Sequence, residues 1–169
     1  MIVRLACTVL AALLVPASVA LSQQEKGAPF SGAWEHRDTY QGESIWAWEA
    51  MIQKGQRVCA ISQDFATNAY YTHRLTGTAD GNRVHFDRIC GDRGMETDAY
   101  CTARAPNGAD PYGWRSYNQT LHLCRDRLTP SSSGCNSVAE DAGMTRTSAD
   151  RLPLSEEDRA WLSACAARE

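Results

Sequence analysis

The side chains able to do chemistry are four histidines, His36, His73, His85 and His122, set among twenty acidic and seventeen basic residues. Histidine changes charge near neutral pH, so a convergent set could serve as a general base or a metal site. His73 stands out because it shares a strand face with Tyr71; with His85, Asp87 and Glu49 it offers the scattered acid–base pair that a small hydrolase needs. No nucleophile elbow, HExxH, P-loop, dinucleotide-binding glycine pattern or acidic calcium loop accompanies these residues. The triplet His36-Arg37-Asp38 repeats three letters of a kinase catalytic loop without its downstream Asn or a glycine-rich loop. The expectation is a chain with no catalytic residue, no metal site and no cofactor.

Cysteine is the next reactive type, and its count depends on the N-terminus. Residues 5–15 form an apolar run behind Arg4, Pro16 breaks it, and Ser18 and Ala20 stand at the −3 and −1 positions of a cleavage site. Residues 1–20 therefore read as a signal peptide, with a second cut after Ser22 as the alternative, and no membrane anchor is expected to remain. Of the seven cysteines, Cys7 leaves with that segment. Cys59, Cys90, Cys101, Cys124, Cys135 and Cys165 remain, an even set with no CxxC pair. In a secreted or periplasmic chain such a set predicts three disulfides rather than a zinc site or a nucleophile. Order and strand placement favour Cys135–Cys165, Cys90–Cys101 and Cys59–Cys124.

The aromatic side chains are the remaining candidates for recognition. Trp46, Trp48 and Tyr71, with His73, fall on strand-like segments and are expected to fill a barrel interior or to line its ligand cup. Tyr112, Trp114 and Tyr117 fall in or just after a Gly- and Pro-rich stretch, 91–115, that two cysteines would pin. Disulfide-held loops bearing aromatics make recognition surfaces, here for a small ligand or an extracytoplasmic protein.

These residues need elements to position them. With 169 residues, 43% hydrophobic and 22% charged, the chain suits one domain, and a net charge of −3 lacks the basic footprint of a nucleic-acid binder. A polar leader, 21–30, is expected to be flexible. The domain proper, 31–128, has strand segments at 33–40, 44–53, 57–63, 69–78 and 83–90, with turns at Gly42, Gly55 and Gly81. Strand character returns at 120–128. The segment 43–54, ESIWAWEAMIQK, is rich in helix formers, but its neighbours favour strand, which puts Trp46, Trp48, Ala50 and Ile52 on one face and Glu49 on the other. A polar connector, 129–154, leads to a helix over 155–167 with Ser155 and Asp158 as a capping box and Trp161, Leu162 and Cys165 as the docking stripe. The fold expected is mainly β: an antiparallel meander forming a small closed or nearly closed β-barrel, with a C-terminal α-helix and three disulfides.

The opening Ser31-Gly32-Ala33-Trp34 resembles the G-x-W start of lipocalins and the S-G-x-W start of avidin-like barrels. The resemblance implies an up-and-down barrel in which Trp34 plugs one end and the inward faces line a cup. It names no ligand, since neither the later lipocalin motifs nor the biotin-site residues of avidins can be placed in this sequence. The function expected is that of a non-catalytic binding protein, with a secreted hydrolase or an envelope-associated structural module as the alternatives.

Overall fold

The computed structural model describes residues 27–66, 69–92, 101, 113–130, 134–137 and 143–167. The chain forms a closed eight-stranded barrel in which each strand pairs with its sequence neighbour and the last returns to the first. The strands are β1 (Gly32–Tyr40), β2 (Glu43–Lys54), β3 (Arg57–Ala66), β4 (Ala69–Asp80), β5 (Arg83–Asp92), β6 (Arg115–Cys124), β7 (Arg127–Thr129) and β8 (Met144–Thr147). All pairings are antiparallel. One α-helix, α1 (Glu156–Ala166), follows the barrel. The expected fold class is the observed one, and the segment 43–54 is strand, not helix.

Period-two alternation builds two separate cores. Inward residues Trp34, Met51, Val58, Ala60, Leu75, Val84, Phe86, Leu121 and Leu128 pack together in the barrel. Their outward neighbours Ala33, Trp48, Ala50, Cys59 and Ile61 pack beneath Leu152, Leu154, Leu162, Cys165 and Ala166. This second core explains how β2 overrides its helical composition. As a strand it buries both faces, one in the barrel and one under α1, whereas a helix would bury a single stripe.

The same geometry corrects the reading of the tryptophans. Trp46 and Trp48 belong to the outward face of β2, and Glu49 belongs to the inward one, because the more apolar face serves the sheet–helix core. The helix itself begins as its sequence demands. Ser155 Oγ accepts from the Asp158 amide at 3.0 Å, and the Asp158 carboxylate accepts from the Ser155 amide at 3.3 Å. Arg74 clamps the first turn through Asp158 at 3.2 Å and lies over the Trp161 ring.

Three further expectations change. The leader is expected to be flexible to residue 30, but Phe30 is fully buried, its amide donates to Gln53 Oε1 and its carbonyl accepts from Trp34 Nε1, both at 3.2 Å. The connector 129–154 contains β8, which pairs with β7 and with β1 through Ala33–Thr147, Trp34–Arg146 and Glu35–Thr145 and so closes the barrel. A four-residue strand with one apolar side chain, Met144, shows no alternation to detect. The segment 120–128 is a hairpin, not one strand, with Arg125 at φ 61° in its turn.

The disulfides are Cys59–Cys165, Cys90–Cys101 and Cys124–Cys135. Cys90–Cys101 is as expected, and the other two pairings exchange partners. Cys59 lies on the outer face of β3, where α1 docks, so it meets Cys165; Arg57 Nε also donates to the Cys165 carbonyl at 2.9 Å. Cys124 ends β6 beside the short 3-10 turn Gly134–Ser137, which delivers Cys135. Among the described residues no helix is long and apolar enough to cross a membrane. The expected signal peptide, 1–20, lies outside the described residues.

Candidate functional site

The two ends of the barrel differ in chemistry. At one end Trp34 and Phe30 form a plug, and Arg146 lies 4.1 Å from the Trp34 ring centroid and donates to the carbonyls of Ser31 and Pro29. Toward the other end the inward positions turn polar: His36 on β1, Glu49 on β2, Ser62 and Asp64 on β3, Tyr71 and His73 on β4. The register makes them neighbours, pairing Trp34 with Glu49, Glu49 with Ser62, Ser62 with His73 and Asp64 with Tyr71.

Above the plug lies a cup of about 310 Å³ lined by His36, Ala47, Glu49, Asp64, Gln119, Leu121, Leu128, Pro130, Gly143 and Met144. That volume is at the small end of the range for small-molecule sites. Leu121, Leu128 and Met144 supply an apolar wall and Glu49 and Asp64 an acidic one. Gly143 belongs to the cup's construction, because its φ is +95° and a Cβ there would stand 2.6 Å from the Leu128 carbonyl oxygen.

Glu49 is the unusual group. It is 3% exposed, and its Oε2 has no hydrogen-bond partner among the described residues. A buried carboxyl oxygen without a partner is costly, and the group responds by staying neutral. Burial, followed by the charge of Asp64, pushes the Glu49 pKa to about 8. Asp64 sits at the mouth with its side chain half exposed and His73 Nδ1 3.8 Å from its Oδ2. Its pKa is also raised, by the surrounding walls, with His73 pulling the other way. Tyr117 is raised by burial and then by the charges of Asp64 and Glu49, so the three acids share one electrostatic environment.

Glu35, one strand away on the outer face, shows the opposite outcome. Burial raises it, but hydrogen bonds from Thr147 and Trp46 and the charges of Arg37 and Arg151 together hold it below the ordinary range. Partners, not burial alone, decide which glutamate is ionised.

The candidate residues separate accordingly. Tyr71 and His73 face inward beside Asp64, and Tyr117 packs against the barrel core. Trp48 is buried beneath α1, and Trp46 lies on the outer lip, its Nε1 donating to Glu35 at 2.9 Å under the guanidinium of Arg37. Trp114 stacks on Trp161 with centroids 6.0 Å apart, so it helps to hold α1. Tyr112 lies outside the described residues, as does most of the loop expected to carry a protein-binding surface. His85 and Asp87 are exposed on the outer face of β5, with His85 Nδ1 3.1 Å from Thr120 Oγ1. They do not join the cup. Gln119, Leu121, Leu128 and Met144 join the site without a signal in the sequence, where Glu49 is one of several scattered acids. The detectable signal for Glu49 was a carboxylate alternating with Trp48 and Ala50 in an apolar strand.

Comparison with protein-family models, with curated proteins and with solved structures finds no match to the chain.

Proposed function

We propose that this is a non-catalytic binding protein of an extracytoplasmic compartment that takes a small ligand into the cup of its barrel. One observation carries this reading: a cavity of ligand size with an apolar wall and, facing it, a buried carboxyl whose Oε2 lacks a hydrogen-bond partner among the described residues. A few fixed polar groups in an apolar concavity are the usual makings of a small-molecule site. The likeness of the Gly32-Ala33-Trp34 opening to lipocalin and avidin-like barrels supports the same mode of binding. Three disulfides and the signal-like residues 1–20 support an oxidising compartment.

Ligand-observed NMR with a fragment library tests the cup. Ala47 lines it, so Ala47→Phe fills space a ligand would use. Fragment signals that appear with the wild-type protein and vanish with Ala47→Phe are expected. Signals that persist in the folded variant would place binding elsewhere.

A second reading, a small hydrolase, is favoured by the meeting of Glu49, Asp64 and His73 at one site. A carboxyl poised near pH 8 suits proton transfer. It requires an activity, found by broad substrate profiling, that both Glu49→Gln and His73→Ala abolish.

A further inference from the structure

The composition of the cup restricts what it can hold. Among the described residues that line it, two carboxyls, Glu49 and Asp64, are accompanied by His36 and Gln119 and by no lysine or arginine. Arg146, across Trp34 from Glu49, is committed to the plug, where it lies on the Trp34 ring and binds two backbone carbonyls. Among the described residues, an anion entering the cup would meet two acids and no lysine or arginine. A divalent metal would need a shell of oxygen ligands, and here the acids face leucine and methionine. Among the described residues no three His, Cys, Asp or Glu side chains form a group that could hold a metal ion.

A cation with a hydrocarbon body meets neither objection. Its N–H groups would satisfy the Oε2 of Glu49, its charge would offset the repulsion between the two carboxylates, and its body would cover the Leu121, Leu128 and Met144 wall. We propose that the cup takes a small organic ammonium ion, its nitrogen held by the carboxylates of Glu49 and Asp64 and its apolar body lying on Leu121, Leu128 and Met144. This inference rests on the reading of the cup as a small-ligand site.

Binding is coupled to protons. Among the described residues, the titratable and charged groups at inward positions around Glu49 are, besides Asp64, His36 from β1, Tyr71 and His73 from β4, Tyr117 from β6 and the plug's Arg146 from β8; α1 lies on the other side of the sheet. The free Glu49 carboxyl is largely protonated at neutral pH, and an ammonium partner favours its ionised form. Binding therefore releases a proton, and affinity rises from pH 6 toward pH 8.

Calorimetry on the full chain at about pH 7.5 tests the proposal with cyclohexylammonium, the near-isosteres cyclohexanol and cyclohexanecarboxylate, and calcium chloride. Cyclohexylammonium is expected to bind at least about tenfold more tightly than cyclohexanol, because it pairs with a desolvated carboxylate. Its heat should vary with the ionisation enthalpy of the buffer, reporting proton release. Glu49→Gln, which keeps the shape and neutrality of the free side chain, should erase both the preference and the buffer dependence while cyclohexanol still binds. Equal or tighter binding of the alcohol or the carboxylate would overturn the ammonium assignment, as would displacement of the amine by calcium. If that binding is lost in Ala47→Phe, the cup remains a ligand site of another chemistry. If none of the probes binds the folded protein, both readings fail.

Discussion

At Glu49 the fold keeps a carboxyl in its neutral form, and pH dependence follows from the two end states. The folded pKa, about 8, lies above the ordinary 4.5 of the unfolded chain. Between those values the folded protein holds a proton that the unfolded chain releases, so this group's contribution to stability is full below the lower value and is lost as pH rises toward the upper one. The slope approaches about 1.4 kcal/mol per pH unit for a single proton. Glu49→Gln should therefore flatten the stability profile, matching the wild type near pH 4 and exceeding it at pH 8, as read by urea unfolding at stepped pH. Parallel profiles would show that Glu49 ionises freely in the fold. The tryptophans give the complementary residue-scale prediction. Trp48 is buried in the sheet–helix core, so Trp48→Ala should cost about 3–5 kcal/mol of stability. Cup affinity measured below the melting range should be unchanged, and a loss of affinity without a loss of stability would contradict the outward placement.

The element most dependent on others is α1. Its Ser155–Asp158 capping box was readable directly from residue types and spacing, and Ser155→Ala should lower stability by about 1 kcal/mol in chemical denaturation. Its covalent anchor was less legible. Cys59 and Cys165 are 106 residues apart, and nothing in their spacing says which strand face receives the helix. Closing a loop of that size stabilises by about 4–5 kcal/mol in the chain-entropy model, against about 3 kcal/mol for the 11-residue Cys124–Cys135 separation. Replacing both cysteines of each pair with alanine should rank the two losses in that order; the reverse order in urea unfolding would contradict the anchoring role of Cys59–Cys165. β2 shows the same limit on reading from sequence. Alternation distinguished its two faces, but Trp46, Trp48, Ala50 and Ile52 looked core-facing in a barrel and are core-facing toward the helix. A sheet buried on both sides lacks the polar face that would tell inside from outside.

For the whole molecule, the long strands announced the meander because each carries alternating side chains between turn residues. Closure was harder to read, since it depends on β8, a four-residue strand whose pairing with β1 runs through backbone groups that any sequence supplies. The cup was harder still. Its described lining residues come from six strands and the β7–β8 connection, and Glu49 becomes unusual only when the barrel closes around it. Closure thus links the fold to the candidate site: it makes one end a Trp34–Phe30 plug and the other a polar mouth, with the buried Glu49 carboxyl between them. The most direct test is a carbon-13 NMR titration of the Glu49 side-chain carboxyl, with and without saturating cyclohexylammonium. A midpoint near pH 8 in the free protein is expected. The bound amine should lower it by on the order of one unit or more. A carboxyl that titrates near its ordinary 4.5 and does not respond to the amine would contradict the buried acidic cup.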